Sequence, residues 1–193
     1  MYRRFCIFLC FVIFSSYAVS SDNSKCSTST MDGWNFLQNG SQIDMVKRNF
    51  NMTVNASCMT STTVNKNNHT HEVRQYVRFW NKTAWVDGYQ NLTAYSVGGH
   101  YDFTNTTETL GPANTSYKFL YVKQNCSVVQ VTYLSSQPPS TSGLAENKTP
   151  YSYCALWVRH GDLAQNHTCC ELFFNANCTK PVYDVYNATE CAA

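Results

Sequence analysis

The sequence predicts an all-β domain, a sandwich or a barrel, and three observations carry that prediction. A succession of short runs rich in β-branched and aromatic residues extends from Ser41 to Leu134, separated by Asn-, Gly- and Ser-rich breaks. Several runs are apolar on both faces, as in a sheet that lines an interior on one side and packs against something on the other. An even set of cysteines then staples a chain that shows only one pronounced helical stretch, and that one late.

The first 20 residues read as a signal peptide: basic Arg3 and Arg4, the apolar run Phe5 to Phe14, and a small-residue processing site at Ala18-Val19-Ser20. The apolar run is too short to span a bilayer. Residues 21–193 are then a single domain of ordinary size, large enough for a core. Without Arg3 and Arg4 the basic residues, 14 in the whole chain, equal the 12 acidic ones. Near-neutrality gives no basic patch for nucleic acid or an anionic membrane.

Cys6 and Cys10 leave with the leader. Cys26, Cys58, Cys126, Cys154, Cys169, Cys170, Cys178 and Cys191 remain and imply four disulfides, among on the order of a hundred possible connectivities. The chain also carries 13 N-x-[ST] sequons. Asn125 and Asn177 are poor acceptors because a cysteine follows each. The expected glycosylation sites are Asn39, Asn51, Asn55, Asn68, Asn81, Asn91, Asn105, Asn114, Asn147, Asn166 and Asn187. Glycans at such density aid solubility and folding, or shield a foreign protein from antibodies.

In chain order, 21–31 form a polar arm tied down by Cys26, and Trp34, Phe36 and Leu37 are spaced for a turn or two of helix. The strand runs are SQIDMVKRNF, MTVNASCMTSTTV, HEVRQYVRFW, TAWVDGY, LTAYSV, HYDFT, YKFLYVK and CSVVQVTYL. Strand periodicity puts Tyr76, Arg78 and Trp80 on one face, Val77 and Phe79 on the other. It likewise sets Tyr117, Phe119 and Tyr121 against Lys118, Leu120 and Val122. Residues 134–150 make a Pro-rich surface loop, and YSYCALWV resumes as a strand. Thr168 to Glu171 reads as a capping box that opens a helix of about ten residues, with Cys169, Leu172, Phe173 and Ala176 on one face and Pro181 ending it. PVYDVY is the closing strand that delivers Cys191.

That order resembles the tick salivary lipocalins, the histamine-binding-protein family. The resembling residues are Asp32-Gly33-Trp34, NCSVVQV around Cys126, YCALWV around Leu156 and Trp157, the CCELFF helix and the closing PVYDVYNATEC, which together run through nearly the whole of 21–193. The resemblance implies an eight-stranded antiparallel lipocalin barrel, open at one end, with the C-terminal helix packed outside. It implies the disulfides Cys26–Cys169, Cys58–Cys191 and Cys126–Cys170, and leaves Cys154–Cys178 as the fourth. It also implies a secreted salivary protein that sequesters a small host mediator or hydrophobic ligand as a monomer, or else a barrel whose rim engages a host immune protein.

Amine-binding members carry Cys-Asp-hydrophobic and then Glu-Leu-Trp, because an ammonium inside a low-dielectric pocket must be paired with carboxylate. Here those positions read Cys126-Ser127-Val128 and Ala155-Leu156-Trp157, so both acids are missing. Asp44, Glu72, Asp87 and Asp102 are the acids in strand-like runs that could substitute. The absent acids weigh against histamine or serotonin and favour a fatty acid, eicosanoid or sterol. The expected lining is Tyr76, Phe79, Trp80, Tyr95, Phe119, Tyr121, Val129, Val131, Tyr133 and Trp157. Trp34 is expected at the floor. A filled core is the alternative for the same side chains. His69 and His71 form an H-x-H pair, with a solvated loop the plainer reading, and no nucleophile–base set appears. No cofactor, metal or catalytic residue is expected.

Overall fold

The computed structural model of the chain describes residues 26, 29, 31–52, 56–105, 115–133 and 151–191. Residues 1–20, expected as a signal peptide, lie outside them, as does 134–150. Eight antiparallel strands close a barrel: β1 (Gln42–Arg48), β2 (Ser57–Asn67), β3 (Glu72–Trp80), β4 (Trp85–Val97), β5 (His100–Asn105), β6 (Thr115–Val122), β7 (Cys126–Tyr133) and β8 (Cys154–Arg159). Each strand pairs with its neighbour in sequence, and β1 pairs with both β2 and β8, so the closed sheet leaves no long edge. The lipocalin barrel expected from the resemblance is the fold observed.

Closure at β1 is shared. Gln42, Ile43 and Asp44 pair with Thr62, Ser61 and Thr60 of β2. Beyond a bulge between Met45 and Lys47, β1 pairs instead with the short β9 (Tyr183–Asp184), through Lys47 with Asp184 and Arg48 with Tyr183. The Cys58 N–H donates to the Val185 carbonyl from the other side (3.0 Å). The C-terminal segment therefore fills the gap where β1 and β2 splay, and the short helix Ala188–Cys191 follows it.

One end is closed by the helical turn α1 (Gly33–Phe36). Asp32 caps it, accepting the Asn35 N–H at 2.8 Å. Phe36 is fully buried. The Arg159 guanidinium lies 4.9 Å from its ring centroid and donates to its carbonyl (2.8 Å). Burial pushes the Arg159 pKa down, with nearby Asp162 opposing. Trp34 stacks on Phe103, and Lys66 Nζ sits 4.2 Å from the Trp34 ring while donating to its carbonyl. A Cβ at Gly33 would meet the Phe119 ring at 2.5 Å, so the turn can approach the barrel wall only as glycine. His71 belongs to this floor too: its ring stacks on Tyr101 at 5.4 Å, in a turn and not in a strand, so it forms no H-x-H strand pair with exposed His69.

Outside the barrel, α2 (Thr168–Asn177) covers β6, β7 and β8. Beneath it lie Cys126, Val128, Leu156, Val158 and Tyr121, all buried. Adjacent Cys169 and Cys170 reach in two directions, to Cys26 on the arm and Cys126 on β7. Cys58–Cys191 and Cys154–Cys178 complete the set, so the three pairings the resemblance implied and the fourth it left over are those present. Asn49 adds a polar tie, donating to the Tyr151 and Thr179 carbonyls and accepting the Cys154 N–H.

Three local expectations change. TAWVDGY and LTAYSV form one strand, β4, because Gly88 pairs with Val77 and does not turn. The α2 cap is His167, and Thr168 is already helical. Asn166 Oδ1 accepts the Thr168 N–H (2.9 Å), while Glu171 goes to Lys47 at 3.0 Å. The buried positions of α2 are Cys170 and Phe174, with Leu172 and Ala176 exposed. The face is therefore turned from the one expected.

Asp44 is buried on the outer side of β1, its carboxylate 2.9 Å from His160 Nδ1. Desolvation by burial raises its pKa, partly offset by His160. A folded pKa above the unfolded one means stability that is full below the unfolded value and lost as pH rises through the folded one. Urea melts across the acid range should show wild type gaining on Asp44→Asn as pH falls. An identical pH slope for the two proteins would refute this.

Candidate ligand-binding site

Strand parity decides what the barrel holds. Cys126 must point outward to reach Cys170, so Ser127, Val129 and Val131 of β7 point inward. In β8, Leu156 and Val158 face α2, leaving Ala155 and Trp157 inside. In β3 the inward residues are Gln75, Val77 and Phe79, and in β4 they include Gln90 and Leu92. Ile43 and Met45 of β1, Met59 and Ser61 of β2, Phe103 of β5, and Tyr117 and Phe119 of β6 complete the wall. Leu37 lies at the α1 end. Phe50, Asn51 and Met52, from the β1–β2 connection, lie at the other, with Asn51 exposed.

These residues enclose a cavity of about 480 Å³, within the usual size of small-molecule sites. No Asp, Glu, Lys, Arg or His is among the lining residues described. The four candidate acids are all elsewhere. Asp44 is outside with His160, and exposed Glu72 accepts from Thr70 Oγ1 (2.8 Å). Asp87 is exposed beside the Tyr76 hydroxyl, and Asp102 Oδ1 accepts the Phe119 N–H (2.9 Å). Arg48 touches the lining residue Met52, but its Nη1 donates to the Ala56 carbonyl (2.9 Å).

The polar part of the wall is small. Gln90 Nε2 donates to Gln75 Oε1 (2.9 Å). The hydroxyls of Ser61 and Ser127 are buried with no hydrogen-bond partner among the described residues. A buried hydroxyl left unpaired costs about 1–3 kcal/mol, so two of them facing one cavity are not neutral features.

Of the ten residues expected to line the interior, Phe79, Phe119, Val129, Val131 and Trp157 do. Tyr76 and Trp80 are corrections: they stand on the outer face of β3, packed on Tyr89 and Trp85 of β4 (5.3 and 5.6 Å). Tyr95 is also outside, 39% exposed, its hydroxyl 2.9 Å from Ser116 Oγ. Tyr121 is buried but under α2, stacked on Phe173 at 4.8 Å and donating to the Cys26 carbonyl. The cause is a register shift between Phe119 and Tyr121, which reverses parity within β6. The Tyr133 side chain lies outside the described residues. Ser61, Gln75, Gln90 and Ser127 were missed because a polar residue in an apolar run reads as solvent-facing. The one signal available was Ser127, fixed inward by a bridged neighbour.

A closed antiparallel barrel with an outer helix and an apolar central cavity defines a lipocalin-type binding protein. The sequence model of the family described as tick histamine binding protein matches residues 21–193, and this chain belongs to that family. No curated protein sequence matches it. Among solved structures it is similar to japanin from Rhipicephalus appendiculatus bound to cholesterol (TM-score 0.53, 14% identity, 81% of this chain and 98% of that one). It is also similar to AM182 in complex with serotonin (TM-score 0.54, 14% identity, 80% of this chain and 87% of that one). The siderocalin Ex-FABP shares the fold at 9% identity (TM-score 0.54, 77% of this chain and 93% of that one). At these identities the likeness is one of fold.

Proposed function

We propose that the protein is a secreted, N-glycosylated tick salivary lipocalin, not an enzyme, that acts as a monomer. It sequesters a small hydrophobic host mediator (a fatty acid, eicosanoid or sterol) and so blunts host defence. The observation that carries this reading is the cavity of about 480 Å³ with a mainly apolar wall and no Asp, Glu, Lys, Arg or His among the described lining residues. Burial of apolar surface at about 25 cal/mol per Å² supplies the affinity. Stoichiometric capture needs only a filled pocket and abundant secretion. Solved relatives bound to cholesterol and to serotonin support small-molecule binding in general. The serotonin precedent transfers poorly, since Ser127 and Ala155 stand where amine binders have acids and the candidate substitutes all lie elsewhere.

The test is native mass spectrometry of the deglycosylated secreted protein with extraction of retained lipid, followed by challenge with cholesterol, arachidonate and histamine. Retained lipid, or a mass shift with cholesterol or arachidonate but not histamine, is expected. An empty extract with no shift by any probe would remove the reading and leave a host protein as the partner. Val129→Trp, which fills the cavity from β7, should cut lipid retention at least about tenfold while costing about 1–3 kcal/mol of stability. Full retention by that variant would place the ligand elsewhere.

A further inference from the structure

We infer that the ligand is an uncharged amphiphile with two separated oxygen functions, hydroxyl or carbonyl, one met by Ser61 and the other by Ser127. The inference rests on the hydrophobic-ligand reading above and narrows its chemistry. Both serines are among the cavity's lining residues and are buried, at 3% and 0% exposure, and their hydroxyls have no partner among the described residues. A ligand oxygen supplies each serine with the hydrogen bond it otherwise lacks.

The chemistry of the wall favours uncharged ends. An ammonium would need a carboxylate, which the described lining lacks, and a carboxylate would meet no cation there, only the side-chain N–H groups of Gln75, Gln90, Asn51 and Trp157. Serine both donates and accepts, so it suits a hydroxyl or a carbonyl equally. Gln75 stands beside Ser61, two residues along β3 from Val77, which Ser61 faces in register. Together with Gln90 it makes the Ser61 side of the wall the more polar of the two.

The two serines are far apart. Ser61 is on β2 and Ser127 on β7, with β1 and β8 between them. Three inter-strand spacings of about 4.8 Å separate them along the wall, too far for one ligand oxygen to serve both. A fatty acid or a sterol with a single hydroxyl would leave at least one serine unmet. A rigid ring system oxygenated at both ends meets both, with its hydrocarbon body against Phe79, Phe119, Val129 and Trp157.

The experiment uses the full secreted chain and three steroids that differ only in oxygen: androstanediol, androstanol with one hydroxyl, and the hydrocarbon androstane. Competition read by native mass spectrometry should rank them in that order, about fivefold per hydroxyl. Ser61→Ala and Ser127→Ala should each erase one step of the ranking. Each should also raise the melting midpoint of the empty protein, because it deletes an unpaired buried hydroxyl. Equal retention of all three steroids would overturn the inference and leave the hydrophobic-ligand reading standing. Retention of none of them, with an empty lipid extract, would overturn both. Oleate outcompeting androstanediol would overturn the preference for uncharged ends. A lower midpoint in both variants with an unchanged ranking would show that the hydroxyls serve the protein itself.

Discussion

Ser127→Asp is expected to lower the unfolding free energy by about 3–5 kcal/mol at neutral pH, while giving the protein an affinity for histamine that wild type lacks. Ser127 is fully buried on the inward face of β7, opposite Trp157, and no cation is among the described residues that line the cavity. A carboxylate there is stripped of water without a counter-ion. Its folded pKa must then rise above the unfolded one, so the loss is largest above the folded pKa and shrinks as pH falls toward the unfolded value. Histamine carries the missing cation, so binding should return stability to the variant by mass action and leave the wild-type melting curve in place. Ser127→Asn, similar in size but uncharged, separates crowding from charge. A histamine shift of equal size in wild type would sink the claim that the missing acid is what excludes amines.

Phe36→Ala has the other large effect, expected to cost about 3–5 kcal/mol. The ring is fully buried where α1 closes the barrel, with Phe119 at 6.2 Å and the Arg159 guanidinium above it. The neighbours cannot collapse into the space, because Gly33 already presses on Phe119 and Arg159 is held by the Gln124 and Phe36 carbonyls. The void would join the ligand cavity through Phe119 and Leu37, both of which line it. Urea unfolding measures the cost. Retained lipid in the same preparation reports whether the floor leaks. A loss below about 1 kcal/mol would mean that the floor is not held by this ring.

The fold was legible because its signals are redundant. Short strands recur, breaks separate them, and the order from Asp32-Gly33-Trp34 to the closing PVYDVYNATEC matched a known family. The lining was legible only where something pinned parity. Bridged Cys126 pins β7, and the Val129 and Val131 expected in the interior are indeed on its inward face. In β3 both faces carry aromatics, so Tyr76 and Trp80 were indistinguishable from Phe79 by pattern, and the outer ones turned out to pack on the β4 rings Tyr89 and Trp85, over which Arg74 and Arg78 lie. The bulge before Tyr121 is a backbone event with no residue signature in YKFLYVK. Gly88 failed in the opposite direction. Asp87-Gly88 has the composition of a turn, yet pairing with Arg78 and Val77 keeps it extended. Local chemistry proposes, and the ladder overrides it.

The disulfide arrangement bears on how the protein would survive a protease. Three bridges, Cys26–Cys169, Cys58–Cys191 and Cys126–Cys170, join the part of the chain before β8 to the part after it. The 17 residues from 134 to 150 separate those parts in sequence. A cut anywhere within them would leave two chains that remain covalently one molecule, with every wall strand still attached to the barrel. Nicked and intact protein should therefore differ only on a reducing gel, and the cargo would stay captured after the backbone is broken.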